Sequence, residues 1–223
     1  MKAREIVHRR GSWAGTTAFL LGNGPSVREH NLALLEGRHL IGMNASTLLE
    51  KEYGFTSQYY VVSDARFLTH PEKRALATTA LEGGTVRVLR EDLLPLDDKK
   101  FVGRTYYVPS LGKNGFSDDL ARGFYFGCTT SMLALQLAAY LGARRIVLLG
   151  NDFRYSSSQP RFYKEEVPQA HDPFLSVQIW NVRNAVVALE ARQVEVVICT
   201  KSSTLVPYVP FLDFSVALSS LGK

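Results

Sequence analysis

Ala18-Phe19-Leu20-Leu21-Gly22-Asn23-Gly24-Pro25-Ser26 opens as an apolar β-run and closes as a glycine-rich turn. Six further β-rich runs follow it, at 40–43, 59–62, 86–89, 105–108, 146–149 and 194–198. Several are continuously apolar rather than alternating, which fits strands covered on both faces. Helical patterns lie between them at 27–35, 46–52, 71–80, 131–141 and 174–192. The pattern at 131–141 is apolar nearly all round and so predicts a buried helix, with threonines to cap its start and Gly142 to stop it.

Strand–helix alternation over this length predicts a doubly wound, mostly parallel α/β sheet, Rossmann-like, with helices on both faces. The expected organisation is one nucleotide-binding domain over 1–205 followed by a C-terminal tail over 206–223. Between 155 and 172 the chain is polar and aromatic without a regular period, as a lid or substrate loop would be. The 223 residues, 46% hydrophobic and 21% charged, match an ordinary globular protein and exclude disordered and fibrous classes. No apolar run is long enough to span a membrane. Neither a signal-peptide pattern at the start nor a disulfide framework is present, with Cys128 and Cys199 the only cysteines, so the expected location is cytoplasmic. The net charge of +5 comes from scattered Lys and Arg, without the basic blocks of a nucleic-acid-binding module. The tail carries Val209, Phe211, Leu212, Phe214 and Val216 but few charges. It is therefore expected to pack on the core or to join a second copy rather than to lie on a membrane.

In open parallel sheets, ligands bind beyond the carboxyl ends of the strands. Here those ends carry small polar residues: Gly22 to Ser26, Asn44, Ser63-Asp64, Gly150-Asn151-Asp152 and Thr200 to Ser203. In the first turn, two glycines let backbone approach a ligand, and a helix beginning at Pro25 would offer free N–H groups to a phosphate. The turn is not a Walker loop, which needs Gly-Lys-Ser/Thr. It is not a dinucleotide fingerprint either, since Val27 and Asn44 stand where a small residue and a ribose-binding acid belong. Asn44 and Asp64 suit either ligand contact or helix capping. Cys128-Thr129-Thr130-Ser131 offers N–H and O–H donors ahead of the buried helix. His8, His30, His39 and His70 read as surface residues. His171, at the end of the long loop, can take a proton from a hydroxyl nucleophile, and Tyr155, Arg161, Tyr163 and Lys164 can donate to a departing phosphate.

Taken together, Gly22-Asn23-Gly24-Pro25-Ser26, Asn44, Thr129-Thr130-Ser131, Leu149-Gly150-Asn151-Asp152-Phe153 and a later His resemble one superfamily over roughly 18–205. It contains bacterial CMP-sialic-acid-dependent sialyltransferases, flagellin-modifying motility accessory factors and archaeal-type 6-hydroxymethylpterin diphosphokinases. In the sialyltransferase branch, the resemblance implies that Asn23 and Asn44 hold CMP and that Thr129, Thr130 and Ser131 line the same site. It further implies His171 as the base, with Tyr155 and Tyr163 as approximate counterparts of two phosphate-contacting tyrosines. The implied reaction moves a nonulosonic sugar from a CMP donor to an acceptor hydroxyl, with no obligatory metal or other cofactor. Asp64 stands where that branch has Asn and suits a magnesium-bound nucleotide better. The alternative is therefore a diphosphokinase using ATP and Mg2+, with Asp64 and Asp152 as ligands. A non-catalytic nucleotide-binding domain is a third reading.

Overall fold

The computed structural model describes residues 3–78, 84–97, 104–155, 160–165 and 171–219. In chain order its elements are β1 (Thr17–Leu21), β2 (His39–Met43), α1 (Thr47–Tyr53), β3 (Tyr59–Val62), α2 (Arg66–Thr69), α3 (Pro71–Thr78), β4 (Val86–Arg90) and β5 (Thr105–Val108). Then come β6 (Ser110–Gly112), β7 (Phe124–Tyr125), α4 (Thr130–Leu141), β8 (Arg145–Leu149), α5 (Leu175–Glu190), β9 (Glu195–Ile198) and α6 (Phe214–Leu218). The main sheet has the order β5-β4-β3-β2-β1-β8-β9, and every pairing in it is parallel.

Alternate strand residues feed two separate cores, as a sheet covered on both faces requires. Ala18 and Leu20 of β1 join the core under α4 and α5, whereas Phe19 and Leu21 join the core that includes Leu35, Leu49 and Phe214. The fold is thus the doubly wound, Rossmann-like α/β arrangement expected from the sequence.

The chain leaves β1 towards β2 on one side and later adds β8 on the other. The switch point of the sheet therefore lies between β1 and β8, where open α/β sheets hold ligands. Leu21 pairs with both Gly42 and Leu149, so the carboxyl ends of these three strands sit level.

Helix α4 begins at an N-cap Thr129, whose hydroxyl accepts from the Ser131 N–H, and stops at a left-handed Gly142. Its only internal amide side chain, Gln136, is fully buried. That amide accepts from the N–H groups of Ser117 and Tyr125 and donates to the Tyr125 carbonyl, fastening the 115–125 segment to the helix. The small β6–β7 ladder in this segment was not foreseen, because its strands are too short to show a period.

Three expectations need correction or bounding. The 27–35 pattern forms two 3-10 turns, Pro25–Glu29 and Leu32–Leu35, rather than one helix, because His30 between them is extended. Val27, Leu32 and Leu35 are buried, so the apolar spacing reports core packing and not helix periodicity. The 71–80 pattern is helical to Thr78; 79 and 80 lie outside the described residues. His30 and His39 are half-buried rather than surface groups, His30 stacked on Phe214 and His39 tilted against Trp13. Residues 210–212 run along the outer side of β9, with Ile198 bonded to both Pro210 and Leu212, and α6 then packs Phe214 and Ala217 into the core that holds Phe19; 220–223 lie outside the described residues.

Candidate active site

The turns after β1 and β8 are locked together. Gly22 and Gly24 donate their N–H groups to Leu149 and Gly150, both at 2.7 Å. A side chain at Gly22 would run into the Gly150 carbonyl, and one at Gly24 into the Asp152 carboxylate. These glycines therefore admit the neighbouring turn on one side, while both also line the cleft described below.

One correction concerns the supposed phosphate-binding helix start. The Ser26 N–H donates to Asp152 (3.0 Å), and the Ser26 hydroxyl bonds the same carboxylate. Both residues are buried, and the five-residue 3-10 turn has no macrodipole to speak of. Burial pushes the Asp152 carboxyl up, partly offset by the bonds from Ser26.

Asn23 and Asn44 are brought together by the β1–β2 pairing. The Asn23 amide donates to the Met43 carbonyl (2.8 Å) and accepts from the Ala45 N–H (2.9 Å), gripping the backbone on either side of Asn44. Asn44 itself is left-handed, with φ 54°, and its carbonyl accepts from the Tyr60 hydroxyl. Asn tolerates this conformation better than most residues. Its side-chain oxygen faces the Thr130 hydroxyl at 3.5 Å, and Thr130 in turn bonds Ser63 at 2.8 Å. Beside them, Ser131 bonds the buried Asn151 at 2.8 Å. The first turn of α4 is thereby tied to the ends of β2, β3 and β8.

These groups wall a cleft. Its narrow part, about 80 Å³, is lined by Gly22, Asn23, Gly24, Asn44, Asp64, Thr129, Thr130, Ser131, Asn151 and Asp152, with Tyr155 and Tyr163 at its side. It opens into a wider chamber of about 640 Å³ that shares Asn44, Asp64, Thr129, Thr130 and Tyr155 with it. The wider volume falls in the range of small-ligand sites. Ser26 lies behind the wall and does not line the cleft.

Cations dominate the lining. Arg66, Lys73, Arg154 and Arg161 face the narrow part, and Arg66, Arg90, Lys113 and Arg161 the wide one. Asp64 is held by the Arg66 guanidinium (2.7 Å) and accepts the Arg66 N–H (3.0 Å). Burial acts to raise its carboxyl, but Arg66 and then Lys73 outweigh it and hold it below the usual range. Asp64 and Asp152, the two acids of the alternative metal reading, are thus each engaged within the protein. Among the described residues, no group of three or more His, Cys, Asp or Glu side chains is placed to hold a metal ion.

The segment expected to be a lid is, over 160–165, a packed wall. Phe162 and Tyr163 are buried in the core. The Phe162 N–H donates to the Asn23 carbonyl (3.0 Å), and Lys73 pairs with Glu165 at 2.7 Å. Residues 156–159 and 166–170 lie outside the described residues. Burial pushes the Tyr155 and Tyr163 hydroxyls up, so both stay protonated donors. His171 is exposed and does not line the cleft, whereas the next residue, Asp172, does. Gln178, buried at the base of the wide chamber, bonds Asp172 (2.9 Å) and the Cys128 carbonyl (3.0 Å). Cys128 is a left-handed rim residue rather than part of the core.

Sequence reasoning missed Arg66, Lys73, Arg90 and Lys113. A signal existed for two of them: Arg66 follows the polar end of β3 and Arg90 ends β4.

This architecture is a doubly wound, Rossmann-like α/β fold with a cationic cleft at the sheet's switch point. No protein-family model and no curated protein matches the chain. Solved structures do share its fold. One is the sialyltransferase CstII from Campylobacter jejuni with the substrate analogue cytidine-5'-monophosphate: 12% identity, 89% of this chain and 85% of that one, TM-score 0.53. A second is the monofunctional α-2,3-sialyltransferase Cst-I from Campylobacter jejuni: 16% identity, 88% and 80%, TM-score 0.55. A third is the MAf glycosyltransferase from Magnetospirillum magneticum AMB-1, at 14% identity and TM-score 0.56. It aligns over 97% of this chain, which spans only 38% of that larger protein. At these identities the likeness is one of fold. No helix among the described residues is long and apolar enough to cross a membrane.

Proposed function

We propose that the protein is a glycosyltransferase that moves a nonulosonic sugar from a CMP donor to an acceptor hydroxyl. The observation that carries this reading is the convergence of Asn44, the Gly22–Gly24 turn and the first turn of α4 on one cleft rich in Arg and Lys. Neutral amide and hydroxyl groups suit a base and ribose, and the surrounding cations suit a phosphate and a carboxylate. The fold shared with a sialyltransferase crystallised with cytidine-5'-monophosphate supports the same donor.

In this reading Asn44 contacts the nucleotide, and Asn23 positions it by fixing the backbone around it. The acceptor oxygen attacks the anomeric carbon, its proton passes to His171, and the bond from that carbon to the CMP phosphate oxygen breaks with inversion. The protonated hydroxyls of Tyr155 and Tyr163, with Arg161 between them in sequence, meet the charge that develops on the departing phosphate. No step needs a metal ion. His171 is exposed and outside the cleft's lining, next in sequence to Asp172, which lines the wide chamber, so the base role requires its imidazole to reach the acceptor.

A thermal-shift panel of CMP, CDP, ATP and GTP, with Mg2+ or with EDTA, tests this reading. Stabilisation by CMP that survives EDTA is expected, worth about 2.7 kcal/mol at a hundredfold excess over Kd. A shift that requires ATP and Mg2+ together would favour pyrophosphoryl transfer instead. No shift with any nucleotide would contradict both.

A further inference from the structure

We propose that the wide chamber binds the acceptor through an anionic oxygen-acid group, a carboxylate or a phosphate, set beside an apolar sugar face. The inference rests on the glycosyltransferase reading and adds the class of acceptor to it.

Two cations belong to the wide chamber and not to the narrow part: Arg90, at the end of β4, and Lys113, just after β6. Each lies over an aromatic ring that also lines the chamber. The Arg90 guanidinium is 4.5 Å from the Phe126 ring centre, and the Lys113 ammonium 5.5 Å from that of Phe174. Phe174 is 47% exposed, so its ring is open to a ligand in the chamber. Charged rims with aromatic platforms are how sites recognise acidic sugars, the ring stacking on the apolar face while the cation meets the anion.

The acids that face these cations do not cancel them. Asp64 is engaged by Arg66. Asp172, which accepts from the Gln178 amide and the Phe174 N–H, both at 2.9 Å, keeps its charge, but Arg66, Arg90, Lys113 and Arg161 outnumber Asp64 and Asp172 in the chamber's lining. Asp92 pairs with Arg90 at 2.5 Å, but its side chain is 62% exposed, so an incoming anion can displace it at little cost. A neutral acceptor filling the chamber would strip water from Arg90 and Lys113 and return no counter-charge. The donor's own anions do not account for this pair, because Arg154 and Arg161 already stand at the narrow part.

Three methyl galactosides that differ only at C6 separate the possibilities: methyl galactoside, methyl galacturonoside and methyl galactoside 6-phosphate. Each is titrated into the whole protein, with and without saturating CMP. Both charged sugars are expected to bind about tenfold more tightly than the neutral one, as one charged hydrogen bond allows. The preference should shrink as salt rises, and the tighter of the two names the acid group. The double substitution Arg90→Gln with Lys113→Gln should erase the preference while the CMP Kd stays within about twofold. Equal binding of all three sugars, or a double variant that weakens CMP and spares the sugars, would overturn the proposal. If CMP fails to bind, the donor reading fails alone, and the sugar series without CMP still decides this one.

Discussion

The carboxylate of Asp152 accepts both the N–H and the hydroxyl of Ser26, and it does so from a buried position beneath Gly24. An acid in the turn after β8 thus closes the turn after β1, filling the place an incoming phosphate takes in other glycine-rich turns. The consequence is measurable as stability. Asp152→Ala leaves two buried donors without an acceptor and should cost about 2–5 kcal/mol in urea unfolding. Asp152→Asn keeps one acceptor and should cost about 1–2 kcal/mol. An Asp152→Ala protein as stable as the parent would show that the bond does not hold the turns together.

Asn44 gives a second test because its backbone and its amide have separate jobs. Its left-handed φ of 54° would cost an alanine about 1–2 kcal/mol, whereas glycine adopts it freely. Asn44→Ala should therefore unfold at lower temperature than Asn44→Gly. Both should bind CMP about tenfold more weakly, since both lose the amide. If Asn44→Gly keeps full affinity, the amide does not touch the ligand.

His171 bears on chemistry rather than binding. Replacing it by alanine should lower kcat by about 10²–10⁴, the usual contribution of a positioned base, with the CMP Kd unchanged within about twofold. Single-turnover assays with a CMP-activated sugar would read both quantities. Unchanged kcat would remove His171 from the reaction and turn attention to Asp172, which does line the cleft.

His30 makes stability depend on pH. Burial holds its imidazole below the ordinary value of 6.5, despite the nearby carboxylates of Glu29, Asp213 and Asp152, and its ring stacks on Phe214 at 4.8 Å. The folded state therefore prefers the neutral ring. The stabilisation is complete above the unfolded value and is lost as pH falls through 6.5 towards the folded value. His30→Phe keeps the stack and removes the titration, so its Tm should fall less than the parent's between about pH 7.5 and 5.5. Some slope should remain, because burial also lowers His39. Parallel Tm curves for the two proteins would contradict the assignment.

The seven strands of the main sheet and α4 were legible because burial on both faces writes itself as largely apolar runs, unbroken at 18–21, 59–62 and 146–149. Asn23, Asn44 and Thr130 were legible as a site because each follows or precedes such a run. The purpose of individual groups was not. Gly22, Gly24 and Asp152 read as a ligand turn; they line the cleft and also lock the two turns together, a relation that only the β1–β8 pairing creates. Phe162 and Tyr163 read as part of a lid, yet they are core residues, since a short aromatic pair shows no period. The cations were invisible as a set because Arg66, Arg90, Lys113 and Arg154 are far apart in the chain and meet only at the carboxyl edge of the sheet.

The most direct measurement of the central claim is a calorimetric titration of CMP into the protein in EDTA, repeated with Asn44→Gly. The account predicts saturable one-to-one binding, with Kd between about 1 μM and 1 mM and at least tenfold weaker in the variant. Failure of CMP to bind while ATP with Mg2+ binds, or identical CMP affinity in both proteins, would contradict it.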